Sequence, residues 1–333
     1  MSTVVDFAAV ATPPDTVAGT ELSLDDLEPY RRELAGYCHR MLGSVFEADD
    51  AVQETMVRAW KNLDSFEGRS AVRSWLYRIA SNVCLDMLRG RQRRALAMDL
   101  GPAGNADAFT GAKRPEHAWV TPIPDSRVLP EDGDPAEVAE TKESIRLAFV
   151  TALQHLPPKQ RAVLILREVL RWQAAEVAEL LDTTVASVNS ALQRARATLS
   201  TLDTGADQAP ITSDQQELLT RYVDAFERYD ISSLVALLRD DVVMSMPPFD
   251  FWLSGPDQVA KWFVGEGKGC EGSRLVAVQA NGMAAFASYK RDPQGGHAPW
   301  SIQVLEISGD RIVGHHNFLD TNLFAAFGLP EHL

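Results

Sequence analysis

The sequence predicts a multidomain chain: two all-α domains, the second with a helix-turn-helix, joined by a long linker and followed by an α+β domain with a curved antiparallel sheet. Three observations predict it. Apolar residues recur at helical spacing through 24–95 and again through 136–202. Between these blocks, at 96–135, Pro115, Pro122, Pro124, Pro130 and Pro135 forbid a long helix. After a short polar linker at 203–212, amphipathic helices give way within 213–333 to strand-like runs separated by turns.

Composition narrows the class. A chain of 333 residues, 45% hydrophobic and 23% charged, describes a globular protein of two or three domains. No apolar run approaches the roughly 18 residues of a membrane span. Residues 1–23 carry no basic residue ahead of a short apolar patch, which argues for a disordered leader and against a signal peptide. Cys38, Cys84 and Cys270 are far apart and odd in number, the pattern of a reducing cytoplasm without disulfides or zinc-site spacing. No metal or other cofactor is expected. The formal charge of −14 does not exclude nucleic acid, because the field at the binding face matters more than the sum. Such a chain should bind random DNA poorly, which suits DNA contacts that count only inside a larger assembly.

Taken in order, a helix over 28–42 ends at Gly43, a good C-cap. A second, over 48–63, buries Val52, Met56, Ala59 and Leu63. Asp50, Gln53, Glu54 and Val57 point away, with Asp49 at the flank. Capping accounts for Glu47, Asp49 and Asp50 at a positive helix N-terminus. A partner-docking face accounts equally for the mixed exposed set Gln53, Glu54, Val57 and Trp60.

A third helix, from about residue 71, carries two faces. Leu76, Ile79, Ala80, Val83 and Met87 form a core face, while Trp75, Arg78, Asn82, Asp86 and Arg89 share one narrow arc. With Arg69 and Arg73 before it and Arg91, Arg93 and Arg94 after it, this is a basic stripe in an acidic chain. Aromatics stack unpaired bases, Arg neutralises phosphate and Asn pairs with base edges. An ordinary solvated face is the plain alternative.

The linker is acidic and expected to be mostly extended, with Trp119 and Ile123 as anchors. In the next block, a helix of about ten residues, a turn of about four and a second helix make the helix-turn-helix layout. In its second helix Val188, Leu192, Ala195 and Leu199 face the core, and Ala186, Ser190, Gln193 and Ala197 lie opposite, flanked by Ser187, Asn189, Arg194 and Arg196. Asn and Gln suit adenine, Arg suits guanine or phosphate. The last block predicts helices over 213–229 and 231–238, then strands over 242–246, 274–279, 283–289, 300–307 and 311–318.

The blocks ADDAVQETMVRAW (48–60), VRSWLYRIASNVCLDMLR (72–89) and LPPKQRAVLILREV (156–169) with the following helix-turn-helix resemble a bacterial RNA polymerase sigma factor of the extracytoplasmic-function type. The resemblance implies that the helix with Asp49, Asp50, Gln53, Glu54 and Arg58 docks on the clamp helices of the polymerase large subunit. It implies that Arg73–Arg94 opens and reads the −10 element, with Trp75, Arg78, Asn82 and Arg89 facing separated bases and Arg91, Arg93 and Arg94 lining a basic groove. It assigns −35 recognition and flap contact to 136–202. Family recognition helices usually carry Lys or Arg near Asn189 and Ala191, so −35 contact here would rest on Arg194, Arg196 and the helix N-terminus at Thr183, Thr184 and Ser187, with Asn189, Ser190 and Gln193 at the bases. By analogy the acidic linker would thread toward the polymerase active cleft.

WLSGPDQVAKWF (252–263) and IVGHHNFLD (312–320) resemble the SnoaL-like branch of the nuclear-transport-factor-2-like fold, a helix-lined cone with a pocket. The resemblance implies regulation by this extension, and it makes Asp250, Tyr289, His297, His315, His316 and Asp320 the pocket candidates. His315 and His316 alternate across a strand, so only one can face inward. No nucleophile or metal spacing accompanies them. The leading expectation is therefore a non-enzymatic, cytoplasmic sigma factor with core polymerase and promoter DNA as partners, tuned by its own C-terminal domain. A one-component DNA-binding regulator sensing a small ligand in the cone is the first alternative, and a small-molecule enzyme on a helical scaffold the second.

Overall fold

The computed structural model describes residues 22–23, 25–63, 66, 71–130, 134–202 and 212–333. The leader expected at 1–23 and the linker expected at 203–212 lie outside the described residues except at their last positions.

The first helical block consists of α1 (Arg31–Leu42), α2 (Val45–Lys61) and α3 (Val72–Met87). Gly43 closes α1 at φ 70, the left-handed conformation glycine adopts without a Cβ clash. The second helix starts earlier than the acidic cluster suggested, because Ser44 accepts the Glu47 N–H and caps it. The second block contains α4 (Pro135–Ile145), α5 (Leu147–Gln154), α6 (Pro158–Leu164) running into a π turn (Ile165–Val169), then α7 (Ala174–Leu180) and α8 (Val185–Leu199). The last two make the helix-turn-helix, with Thr184 capping α8 through the Ser187 N–H.

The C-terminal domain opens with α9 (Ser213–Glu227) and α10 (Ile231–Val235), followed by β1 (Leu238–Ser245), β2 (Trp252–Ser254), α11 (Pro256–Val264), β3 (Arg274–Ala280), β4 (Met283–Arg291), β5 (His297–Ser308), β6 (Arg311–Phe318) and α12 (Asn322–Ala326). Its six strands form one sheet in the order β2-β1-β6-β5-β4-β3. The expected antiparallel sheet is corrected in one respect. The pairing of β1 with β6 is parallel, so the sheet is mixed and open. The long connection from β1 to β6, which carries β2, α11 and β3–β5, provides the return that a parallel neighbour needs.

Both faces of the sheet are buried. Ala284, Phe286, Leu305 and Ile312 face α9 and α11 in one apolar core. Ala285, Ala287, Tyr289, Ile302 and Val304 face the other way and join a core shared with both helical blocks. The alternation therefore serves two interfaces at once, which is why β4 is apolar from Met283 to Phe286 without a polar face.

The linker, expected mostly extended, is interrupted by short 3-10 turns and packed against the rest of the chain, with its expected anchors Trp119 and Ile123 buried along with Val120 and Val128. Thr121 donates its N–H to the Gly43 carbonyl, and its side-chain oxygen accepts from the Val45 N–H. On the other side, Asn281 accepts the Ile123 N–H at 3.0 Å and donates to the Ile145 carbonyl at 2.6 Å, while Gly282 donates to Asp125 at 2.8 Å. Asn281 and Gly282 form the two-residue turn between β3 and β4, both at positive φ, the conformation of a tight hairpin turn. One turn thus ties sheet, linker and second helical block together.

Candidate nucleic-acid interface

The amphipathic reading of α3 places its polar arc outward. Arg78, Asn82, Asp86 and Arg89 are exposed, and Trp75 is half-buried against the Phe66 ring at 4.9 Å. Asp86 has a local role: it holds Arg89 at 3.1 Å and lies 4.0 Å from Arg58 of α2, which also pairs with Glu54 at 2.6 Å. A groove of 390 Å³ runs between α2 and α3 from Asp50 and Glu54 to Asp86 and Met87. The docking candidates Asp50, Gln53, Glu54 and Arg58 therefore share a groove with one residue of the arc, Asp86. Asp50, Gln53 and Glu54 are exposed on it, and Trp60 adds an indole ring 57% exposed.

The remaining arginines of the stripe divide. Arg91 pairs with Glu47, and Arg93 donates to the His155 ring at 2.6 Å. Arg94 is only 8% exposed, held by Glu47 at 2.7 Å and by the Trp119 carbonyl at 2.8 Å. It clamps the linker to the first block. Glu47 does lie in the first turn of α2, as expected of a capping charge, and it also neutralises two of the arginines. Arg73 pairs with Glu33 at 3.0 Å and lies over the rings of Tyr77 and Trp172, the latter from the second block. Burial raises the Glu33 carboxyl, and Arg73 opposes that rise.

Two further candidates are engaged by partners from elsewhere in the chain. Arg78 donates to the carbonyl and the carboxylate of Glu179 on α7, both at 3.3 Å. Asp49 of α2 is held by Arg127 of the linker. Neither Glu179 nor Arg127 carries a local signal that would single it out, because the pairing depends on how the blocks pack.

The recognition helix is different. Thr183, Thr184, Ser187, Asn189, Ser190, Gln193, Arg194 and Arg196 are all exposed, while Val188, Ala191, Leu192 and Ala195 are buried. Arg194 donates to Ser190 at 2.6 Å and Arg196 pairs with Glu168 at 2.7 Å. Val185, 43% exposed, adds an apolar contact at the helix start.

The six C-terminal candidates do not converge. His315 faces the cone and lies 3.0 Å from the Tyr222 hydroxyl, which donates to Gln303 at 2.7 Å. Burial, with His316 adding to it, pulls His315 down to about 3, so it is neutral. His316 faces the opposite side, 2.9 Å from the Ser245 hydroxyl and 3.7 Å from Glu306. A hydroxyl does therefore accompany it, but Ser245 is fully buried and reaches no cleft. Tyr289 donates to the Pro330 carbonyl at 2.9 Å, and His297 lies 3.0 Å from the Gly272 carbonyl at the sheet edge. Asp250 pairs with Arg114 of the linker at 2.6 Å. Asp320 accepts the Asn322 N–H and lines a 450 Å³ cleft shared with the linker and α2. Among the described residues no helix is long and apolar enough to cross a membrane, and no group of His, Cys, Asp or Glu is arranged to hold a metal.

Comparison with known proteins matches three stretches of the chain. Residues 27–94 match sigma-70 region 2, residues 146–199 match sigma-70 region 4, and residues 219–315 match a SnoaL-like domain. The chain is 44% identical over 311 residues to the ECF RNA polymerase sigma factor SigG of Mycobacterium tuberculosis, covering 92% of this chain and 83% of that protein. It is 26% identical over 281 residues to SigJ of the same organism, covering 80% of this chain and 81% of that protein. The crystal structure of SigJ overlays with a TM-score of 0.58 at 21% identity, over 92% of this chain and all of that one, a likeness of fold.

Proposed function

The chain belongs to the extracytoplasmic-function RNA polymerase sigma factors and is an alternative sigma factor for transcription initiation, and from that premise we propose that its SnoaL-like domain tunes initiation by holding the chain closed. The relatives imply core RNA polymerase and promoter DNA as partners and point to a non-enzymatic factor.

In this reading residues 24–95 dock on polymerase and melt the −10 element, 136–202 contact the flap and read the −35 element, and 213–333 regulate. Asp49, Asp50, Gln53, Glu54 and Arg58 meet the clamp helices. Trp75, Arg78, Asn82 and Arg89 hold separated bases, with Arg91 and Arg93 beside them on the backbone. Melting of this kind needs a stacking plate and cations along a groove, not a catalytic group. The linker, 96–135, leaves its seat on the C-terminal domain when it threads the active cleft.

One observation carries the regulatory part: in the closed chain Asp49 is paired with Arg127 and Arg78 with Glu179. A docking residue and a melting residue are each occupied from within. The free recognition helix is the one feature that also suits a one-component DNA-binding regulator.

Transcription reconstituted from the full chain and bacterial core polymerase tests both parts. Promoter-dependent transcripts are expected, and Arg127→Ala should raise their yield severalfold by freeing Asp49. No promoter-dependent product would sink the polymerase reading, and tight specific DNA binding without polymerase would favour the one-component regulator. An unchanged yield with Arg127→Ala would sink the regulatory reading alone.

A further inference from the structure

The first half of the linker touches the C-terminal domain in an unusual way. Between 101 and 117, the side chains that leave solvent are those of Ala106 and Phe109. The Phe109 ring enters a nest of three others: Phe249 at 5.0 Å, Phe251 at 5.1 Å and Trp262 at 4.9 Å, each in edge-to-face geometry. Edge-to-face rings at this spacing form a slot selective for a flat aromatic guest. The nest belongs to the same apolar core as Tyr222, Phe226 and Phe286 inside the cone. The charges at its rim, Asp250 and Arg114, neutralise each other, and Lys113 lies over the Phe249 ring.

Main-chain contacts hold the segment on either side of the ring. Gly104 donates to the Trp252 carbonyl at 2.7 Å, Trp252 donates to the Gly101 carbonyl at 2.9 Å, and Arg114 donates from its main chain to the Pro248 carbonyl at 2.9 Å. Gly104 comes so close that a Cβ there would lie 2.6 Å from the Phe251 ring. Phe109, the small apolar Ala106, the Arg114–Asp250 ion pair and a few exchangeable hydrogen bonds therefore fasten 101–117, whereas the stretch after it is buried.

We infer that Phe249, Phe251 and Trp262 form a binding site for a single flat, uncharged aromatic group, filled in this state by Phe109 of the chain's own linker. A planar apolar small molecule of that class competes for the slot and frees 101–117. The release would act on initiation through the regulatory reading above, on which this consequence alone rests.

Titration of the full chain with the uncharged dye N-phenyl-1-naphthylamine tests the site without polymerase, so its failure would leave the sigma-factor role standing. Phe109→Ala should bind the dye at least tenfold more tightly than the unaltered chain, and adding Phe251→Ala should abolish that gain. Gly104→Ala keeps Phe109 but pushes the segment off the Phe251 ring, and should shift affinity in the same direction. In the unaltered chain, saturating dye should accelerate tryptic cleavage after Lys113 by about tenfold; the following Arg114–Pro115 bond resists trypsin. Equal dye affinity in all four chains, a gain that survives Phe251→Ala, or cleavage indifferent to dye would each overturn the inference.

Discussion

The two surfaces that would meet DNA differ in how much of each the chain itself occupies. On α3 and its C-terminal flank, Arg73, Arg78, Arg91, Arg93 and Arg94 all have partners outside their own helix, three of them, Arg73, Arg78 and Arg93, reaching the second helical block. On α8 the reading face is exposed from Thr183 to Arg196, and its two arginines are tied only to Ser190 and Glu168 nearby. On the proposed reading, the difference means that the closed chain would withhold melting while leaving duplex recognition open. Duplex reading needs one exposed helix face, whereas melting needs a surface that the neighbouring block can cover.

The largest test of that closure is Asn281→Ala. It strips the Ile123 N–H and the Ile145 carbonyl of their partner in a fully buried site, and it puts Ala at φ 56. Each stranded buried group costs roughly 1–3 kcal/mol and the left-handed Ala roughly 1 more, about 4 kcal/mol together. Denaturant unfolding should report that loss in one transition covering all blocks. A separate early transition of the C-terminal domain, with the helical blocks unaffected, would break the picture of a single closed body.

Acid should act on the same side of the comparison. His39 packs on the Thr121 carbonyl of the linker. Burial pulls it down to about 4; the bond to Thr121 opposes this, and Arg40 and Arg94 add to it. The unfolded chain binds that proton from about pH 6.5 downward while the folded chain refuses it. Stability is therefore full above pH 6.5 and falls between there and about pH 4, by about 3 kcal/mol. Burial raises the carboxyls of Glu33 and Asp125, which work in the opposite direction. The quantity to measure is thus the difference in acid slope between the unaltered chain and His39→Gln, and equal slopes would refute the assignment. The recognition helix, with no Asp, Glu, His, Cys or Tyr in Val185–Leu199, has no counterpart to this switch.

These two cases also mark what the sequence made legible. Helical periodicity placed the exposed arc of α3 and the reading face of α8, because exposure on an amphipathic helix follows from spacing alone. It could not say that Arg94 turns inward to the Trp119 carbonyl, or that Arg78 meets Glu179, since both depend on packing between segments 25 and 101 residues apart. How tightly the linker packs was hidden for a related reason. Pro122 and Pro124 forbid helix, yet an extended strip with few N–H groups is well suited to lie between two apolar surfaces. A signal was present in β4, whose apolar run with small Ala284, Ala285 and Ala287 marks a strand buried on both faces. Phe109, one large aromatic in a Gly- and Ala-rich stretch, was a similar signal.

On the free side, Asn189→Ala should cost about 2 kcal/mol at a single base pair of the −35 element, because a bidentate Asn–adenine contact is lost. Arg194→Ala should weaken all sequences alike and lower the salt slope by about one phosphate contact. Competition binding of the polymerase-bound chain across single-base promoter variants separates the two. If Asn189→Ala weakens every variant equally, α8 is not reading bases through that residue.

The smallest expected effect on stability is the most pointed test of the comparison. Glu179 and Arg78 are both largely exposed, and an ion pair between exposed groups is worth well under 1 kcal/mol. Glu179→Ala should therefore leave the unfolding midpoint nearly unchanged. Its effect belongs to function: with the carboxylate gone, Arg78 is free to meet single-stranded promoter, and opening of a −10 region by holoenzyme should rise two- to threefold. Arg78→Ala, at a similar stability, should lower opening by about tenfold, because it removes the cation itself. The two substitutions delete opposite ends of one contact, so a purely structural role predicts the same result from both. Opposite signs in a fluorescence assay of promoter opening would establish that the closed chain withholds Arg78, and matching signs would reduce Glu179 to an ordinary surface partner.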